Sequence, residues 1–120
     1  MDADARTNVP VFDVAGVKRR LMHDDALMLM VLQVFMQEMP KQIEQLKAAH
    51  AAADMAGVKL QAHSIKGACG NVGATAMQAL ALEVGITAET CNRNRLAGLM
   101  DEIDAAQHAV YIAMQKIAEA

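Results

Sequence analysis

The chain has 120 residues, enough for one domain, and 54% of them are hydrophobic. Alanine fills 24 positions and Leu, Val and Met ten each, against three aromatics (Phe12, Phe35, Tyr111), two Pro and seven Gly; this favours helices and excludes a sandwich or barrel of short strands. A formal net charge of −3, with no basic run and no aromatic platform, argues against nucleic acid as a partner.

Residues 1–10 are polar, end at Pro10 and read as a flexible lead-in; residues 11–120 form the expected domain. Asp13 can cap a short helix running to about Met22. Asp24 can cap a second, in which Leu27, Val31 and Val34 recur at helical spacing and the pattern resumes after Pro40 at Ile43 and Leu46. Pro40 removes one backbone donor and crowds the carbonyl of Met36. No turn residue follows it, so one kinked helix to about Ala52 is expected.

Asp54 caps a third helix with Met55, Val58, Ala62, Ile65 and Cys69 on one face, and Gly70-Asn71-Val72-Gly73 is expected to stop it. A fourth helix carries Met77, Leu80 and Val84, weakened by Gly85, before an expected loop at Thr90–Asn94. In the last helix Leu96, Leu99, Ile103, Ala106, Val110, Ala113 and Ile117 alternate spacings of three and four, which is a bundle seam. One short and four longer helices with short connections imply an all-α, antiparallel up-down four-helix bundle with an additional short N-terminal helix.

No apolar stretch approaches the ~20 residues that span a bilayer, and Asp2, Asp4 and Arg6 do not resemble a signal peptide. Cys69 and Cys91 are too few for a disulfide framework and fit a reducing cytoplasm. The ten Met residues read as adaptable core filler.

The third helix carries the chemistry. At ~100° per residue, His63 falls roughly 120° from the centre of the apolar stripe, on the solvent side. Lys59 and Lys66 stand at i−4 and i+3, so both ammonium groups can reach a group attached to the ring. Gly67 leaves the next turn bare at a cost of about 1 kcal/mol relative to Ala. Leu60 points outward one turn away, a candidate apolar docking contact. Neutral imidazole is a competent nucleophile near pH 7, and a phosphorylated ring carries close to two negative charges that the lysines would offset. The chain has no P-loop, Gly-rich nucleotide motif or carboxylate cluster, so a partner is expected to supply the metal and most of the transition-state stabilisation.

Ala62-His63-Ser64-Ile65-Lys66-Gly67, followed by Gly70-Asn71-Val72-Gly73-Ala74, Leu80 and Leu82-Glu83, resembles the signature of histidine-containing phosphotransfer (HPt) domains. The upstream pattern from Asp24 through Phe35, Met39-Pro40 and Asp54 resembles that family's long proline-bearing helix, and the likeness covers roughly residues 11–118. The resemblance implies a four-helix bundle with His63 as an exposed phospho-acceptor, Lys66 assisting the phosphate and Gly67 opening the site. It further implies a cytoplasmic carrier with no kinase or ATPase activity and no cofactor of its own. Such a carrier exchanges phosphoryl groups with the receiver domains of a hybrid sensor kinase and a response regulator, Mg²⁺ being held by the receiver. A monomer is expected. Lys59, Leu60 and Ser64 are candidate binding residues beyond the motif. Two features depart from the family pattern: Gly85 after Leu82-Glu83, and a Thr90–Asn94 loop without the Gly-Asp turn often seen.

Two other functions compete: a helical adaptor that binds a receiver without phosphoryl exchange, and the phospho-accepting domain of a chemotaxis-type kinase. His23, His50 and His108 read as solvated or structural, and Glu83 as either a bundle anchor or an exposed carboxylate. A zinc set of His63, Cys69, Cys91 and His108 has a spacing that matches no metal motif.

Overall fold

The computed structural model describes residues 9–119, and over them the chain forms five helices and no strand. They are α1 (Val14–Arg20), α2 (Asp25–Ala51), α3 (Met55–Val72), α4 (Thr75–Glu89) and α5 (Arg93–Glu119). Their starts follow local chemistry. Asp13, Asp24 and Asp54 each accept a hydrogen bond from the backbone N–H three residues on, at 3.0, 3.0 and 2.9 Å, as expected of N-caps. Asn92 does the same for α5, accepting from Arg95 N–H at 3.1 Å.

Short connectors turn the chain back on itself and make neighbouring helices antiparallel. α3 packs between α2 and α4, α5 packs on α4 and closes the ring against α2, and α1 is the short extra helix. The turn after α3 is tighter than its glycine-rich sequence suggests. The helix runs on through Gly70 and Asn71, and Gly73 alone ends it, with a left-handed φ of 72° and its N–H bonded to the Cys69 carbonyl. A Cβ at Gly73 would also meet Val17 and the Asp13 carbonyl under 3 Å away, so packing reinforces the need for glycine. The loop before α5 is shorter than expected too, because Arg93 and Asn94 already belong to the helix.

The core face of α2 differs from the expected one. Met28, Leu32, Phe35, Met39, Ile43 and Leu46 are buried, whereas Leu27 is 38% and Val34 53% exposed. The reason is phase. The helix passes through Pro40 without interruption, and counting back at ~100° per residue from Ile43 and Leu46 leads to Met39, Phe35, Leu32 and Met28. Pro40 lacks the N–H that would normally serve the Met36 carbonyl. Tyr111 of α5 donates its O–H to that carbonyl at 2.9 Å while its ring meets Phe35 edge-on, 6.3 Å between centroids.

Most of the other expected core positions hold. Val58, Ala62, Ile65 and Cys69 of α3, Met77, Leu80 and Val84 of α4, and Leu96, Leu99, Ile103 and Val110 of α5 are buried. Met114 takes the innermost place near the end of α5, with Ala113 and Ile117 only half-buried. The first eight residues of the expected lead-in lie outside the described residues. Pro10 is docked rather than loose: its carbonyl accepts from Ala76 N–H at 3.0 Å, and Asp13 N–H donates to the Gly73 carbonyl at 2.8 Å.

Candidate functional site

His63 lies near the middle of α3, where the buried series Val58, Ala62, Ile65, Cys69 turns its opposite side to solvent. The imidazole is exposed, as the wheel requires, and so are Lys59, Leu60, Ser64 and Gly67, with Lys66 half-buried. His63 borders a groove of about 240 Å³ between α3 and α4. Ala62, Ala81 and Gly85 lie at its base, Lys59 and Lys66 line it from α3, and Leu82, Ile86 and Glu89 line it from α4.

Small residues create this groove. A Cβ added at Gly85 would lie 3.9 Å from that of Ala62, an ordinary contact, so glycine is not sterically required there. α4 nevertheless continues through Gly85 to Glu89, so the expected weakening does not end the helix. At Gly67 a Cβ would meet nothing within 4 Å among the described residues. No packing demand of the bundle accounts for that mid-helix glycine, and the surface beside the imidazole is bare.

The two lysines differ. Lys59 Nζ stands 3.3 Å from Glu89 Oε1, an ion pair across the groove, while Lys66 has no carboxylate partner among the described residues. Both line the groove with His63, as the spacing on α3 anticipates. Leu60 is 63% exposed, and Leu82 and Ile86 are 49% and 58% exposed. Together they set apolar surface around a basic, imidazole-bearing centre. The α4 residues Leu82, Ile86 and Glu89 were not among the expected site residues. Their i, i+4, i+7 spacing marks one face of a helix, but nothing in the sequence says that this face adjoins His63.

The other candidates fall elsewhere. Glu83 is an anchor: Arg95 Nη2 donates to its Oε1 at 2.6 Å and Arg95 Nη1 reaches Glu102 at 3.4 Å, tying α4 to α5. The hydrogen bond to Glu83, with the field of both carboxylates, raises the Arg95 guanidinium further above its ordinary value. His50 belongs to the joint between α2 and α5, where Arg93 Nη2 donates to its carbonyl at 3.0 Å. His23 and His108 are exposed. Cys69 is buried, and loss of hydration pushes its thiol up to about 12. Cys91 is exposed in the α4–α5 connector. The residues weighed as a zinc set do not assemble, and among the described residues no group of three or more His, Cys, Asp or Glu is placed to hold a metal ion.

This arrangement offers a solvent-facing nucleophile, cations at its flank and open surface for a large partner. Among the described residues no helix is long and apolar enough to cross a membrane. The fold is shared with histidine-containing phosphotransfer protein B (HptB) from Pseudomonas aeruginosa PAO1: its crystal structure superposes with a TM-score of 0.84 at 21% identity, covering 94% of this chain and 99% of that one. No curated protein sequence matches the chain. A family model for the Hpt domain matches residues 30–115, which include α3 and α4 entire and His63 between its lysines. The chain belongs to the Hpt domain family.

Proposed function

We infer that the chain is a phosphoryl carrier of a multistep phosphorelay, with His63 as the residue that takes and gives the phosphoryl group. The observation that carries this reading is the exposed imidazole at the groove, with Lys59 and Lys66 beside it and Gly67 open to solvent. In the forward step a lone pair of one ring nitrogen attacks the phosphorus of a receiver's aspartyl phosphate. A P–N bond forms as the P–O bond to the aspartate breaks, the aspartate leaves as a carboxylate, and the ring becomes a phosphoimidazolium that releases its N–H proton to water. The reverse sequence loads a second receiver.

Lys66, without a carboxylate partner among the described residues, supports the transferring group with a charge-assisted hydrogen bond. The absent side chain at Gly67 gives the partner's phosphate room to approach, and Leu60, Leu82 and Ile86 form the apolar rim on which the receiver docks, with Ser64 at the edge. In this reading the chain is a cytoplasmic monomer without kinase or ATPase activity. Mg²⁺ sits on the carboxylates of the receiver and offsets phosphate charge there. The partners are receivers of a hybrid sensor kinase and of a response regulator.

The test is phosphoryl transfer from a phosphorylated receiver. Wild-type protein is expected to acquire acid-labile, base-stable label, and His63→Gln to acquire none while its helicity and melting temperature stay unchanged. Label retained by His63→Gln would overturn the assignment. Receiver binding without any transfer would instead indicate a non-catalytic adaptor.

A further inference from the structure

Two cations flank His63, and among the described residues only one of them has a carboxylate partner. Lys59 is held 3.3 Å from Glu89, and that carboxylate, carried by the last residue of α4, lines the same groove as the imidazole. Both partners are about half exposed, so the pair is weak and exchanges readily. A phosphoryl group on the ring would bring close to two negative charges into a groove that already contains one carboxylate.

We propose that Glu89 is a positioning residue that competes with the phosphoryl group for Lys59, and so sets how readily phosphorylated His63 gives that group up. The proposal rests on the phosphotransfer reading above. While the ring is unmodified, Glu89 holds the Lys59 ammonium. Once the ring is phosphorylated, the ammonium has two competing acceptors, one four residues along its own helix and one across the groove, and its help to the phosphate is only partial. Lys66, with no such competitor among the described residues, supports the phosphate fully. Glu89 therefore makes the phosphohistidine less stable than two free lysines would. That suits a carrier which must donate as well as accept, because too stable a P–N bond would end the relay at this protein. Neither Lys59 nor Glu89 exchanges a proton or a covalent bond in the process.

The experiment uses the full chain and phosphoramidate as a small phosphoryl donor, with the ratio of phosphorylated to free protein read by ³¹P NMR at steady state. Glu89→Gln is expected to raise that ratio about two- to fivefold at low ionic strength, with the gain shrinking in high salt, as fits the weak coupling of exposed charges. Lys59→Met is expected to lower the ratio. Glu89→Gln made in the Lys59→Met background is expected to recover little of the gain, which separates competition for Lys59 from simple repulsion. An unchanged ratio in Glu89→Gln, or a gain that persists in full without Lys59, overturns the proposal. If the wild-type ratio is itself unaffected by His63→Gln, the phosphotransfer reading fails instead, and the two failures are distinguishable.

Discussion

Where α3 meets α4 beside His63, the groove is based on Ala62, Ala81 and Gly85, and one exposed ion pair crosses it. Around α5 the joints are polar and specific: Tyr111 to the Met36 carbonyl, Lys47 to Asp104 at 2.6 Å, Arg93 to the His50 carbonyl, and Arg95 to Glu83. The difference teaches where this bundle puts the imidazole proposed to react. Small residues on the α3–α4 side let the helices pack through backbone and methyl surfaces, leaving the long side chains at the groove's rim, where the proposed phosphoryl transfer would use them. On the α5 side the long side chains are spent on holding helices in register. The proposed chemistry and the anchoring are thus separated across the bundle.

That separation can be broken most severely from the core. Leu99→Ala removes a fully buried side chain of α5 and is expected to cost about 2–5 kcal/mol in urea unfolding. Transfer by the fraction still folded should remain normal; a specific transfer defect would show that α5 and the site are coupled. Lys66→Ala should do the reverse, slowing transfer about tenfold, or ~1.4 kcal/mol, with stability unchanged. An unchanged rate would leave Lys66 with no part in the chemistry.

Tyr111→Phe keeps the edge contact with Phe35 but leaves the Met36 carbonyl without the donor that Pro40 has already denied it. A loss of about 1–2 kcal/mol is expected. The loss should shrink in a Pro40→Ala background, where the backbone N–H returns; equal losses in both backgrounds would mean the hydroxyl does not answer the proline.

The sharpest contrast uses two glycines that both face open space, Gly67 in α3 and Gly98 in α5. Replacing either by Ala is expected to stabilise the helix by about 0.5–1 kcal/mol. Gly67→Ala should also slow transfer, whereas Gly98→Ala should leave it alone. Equal transfer rates would remove Gly67 from the site. The smallest expected effect is at Cys69, which should resist thiol reagents in the native protein at pH 8 while Cys91 reacts. With its thiol at about 12 when folded and an ordinary value of 9.0, Cys69 binds its proton more tightly in the folded state. Its contribution to stability is therefore present below pH 9 and falls away as pH climbs from there towards 12, visible as a melting temperature that Cys69→Ala makes less sensitive to pH in that window.

Much of this was legible because it is local. Asp13, Asp24 and Asp54 announce helix starts through a side chain that reaches three residues along its own chain, and the exposure of His63 follows from spacing within a single helix. α2 is harder to read because Met28–Met36 is apolar on nearly every side, so periodicity alone points to Leu27-Val31-Val34 without revealing that Met28-Leu32-Phe35 is the buried stripe. Only the unbroken phase through Pro40, with Tyr111 supporting the Met36 carbonyl, selects between them.

Sequence alone therefore determined the helices, the caps at Asp13, Asp24 and Asp54, the buried face of α3 and the pairing of an outward imidazole with two lysines at i−4 and i+3, all set by interactions within a turn or two. Tertiary structure decided what α4 brings to that imidazole: a base of small residues, the Leu82–Ile86 rim, and Glu89 against Lys59. It also made Glu83 an anchor and Met39 a core residue. These outcomes depend on which helix lies beside which and at what rotation, and contacts between residues 12 to 75 positions apart leave no periodic trace in the chain.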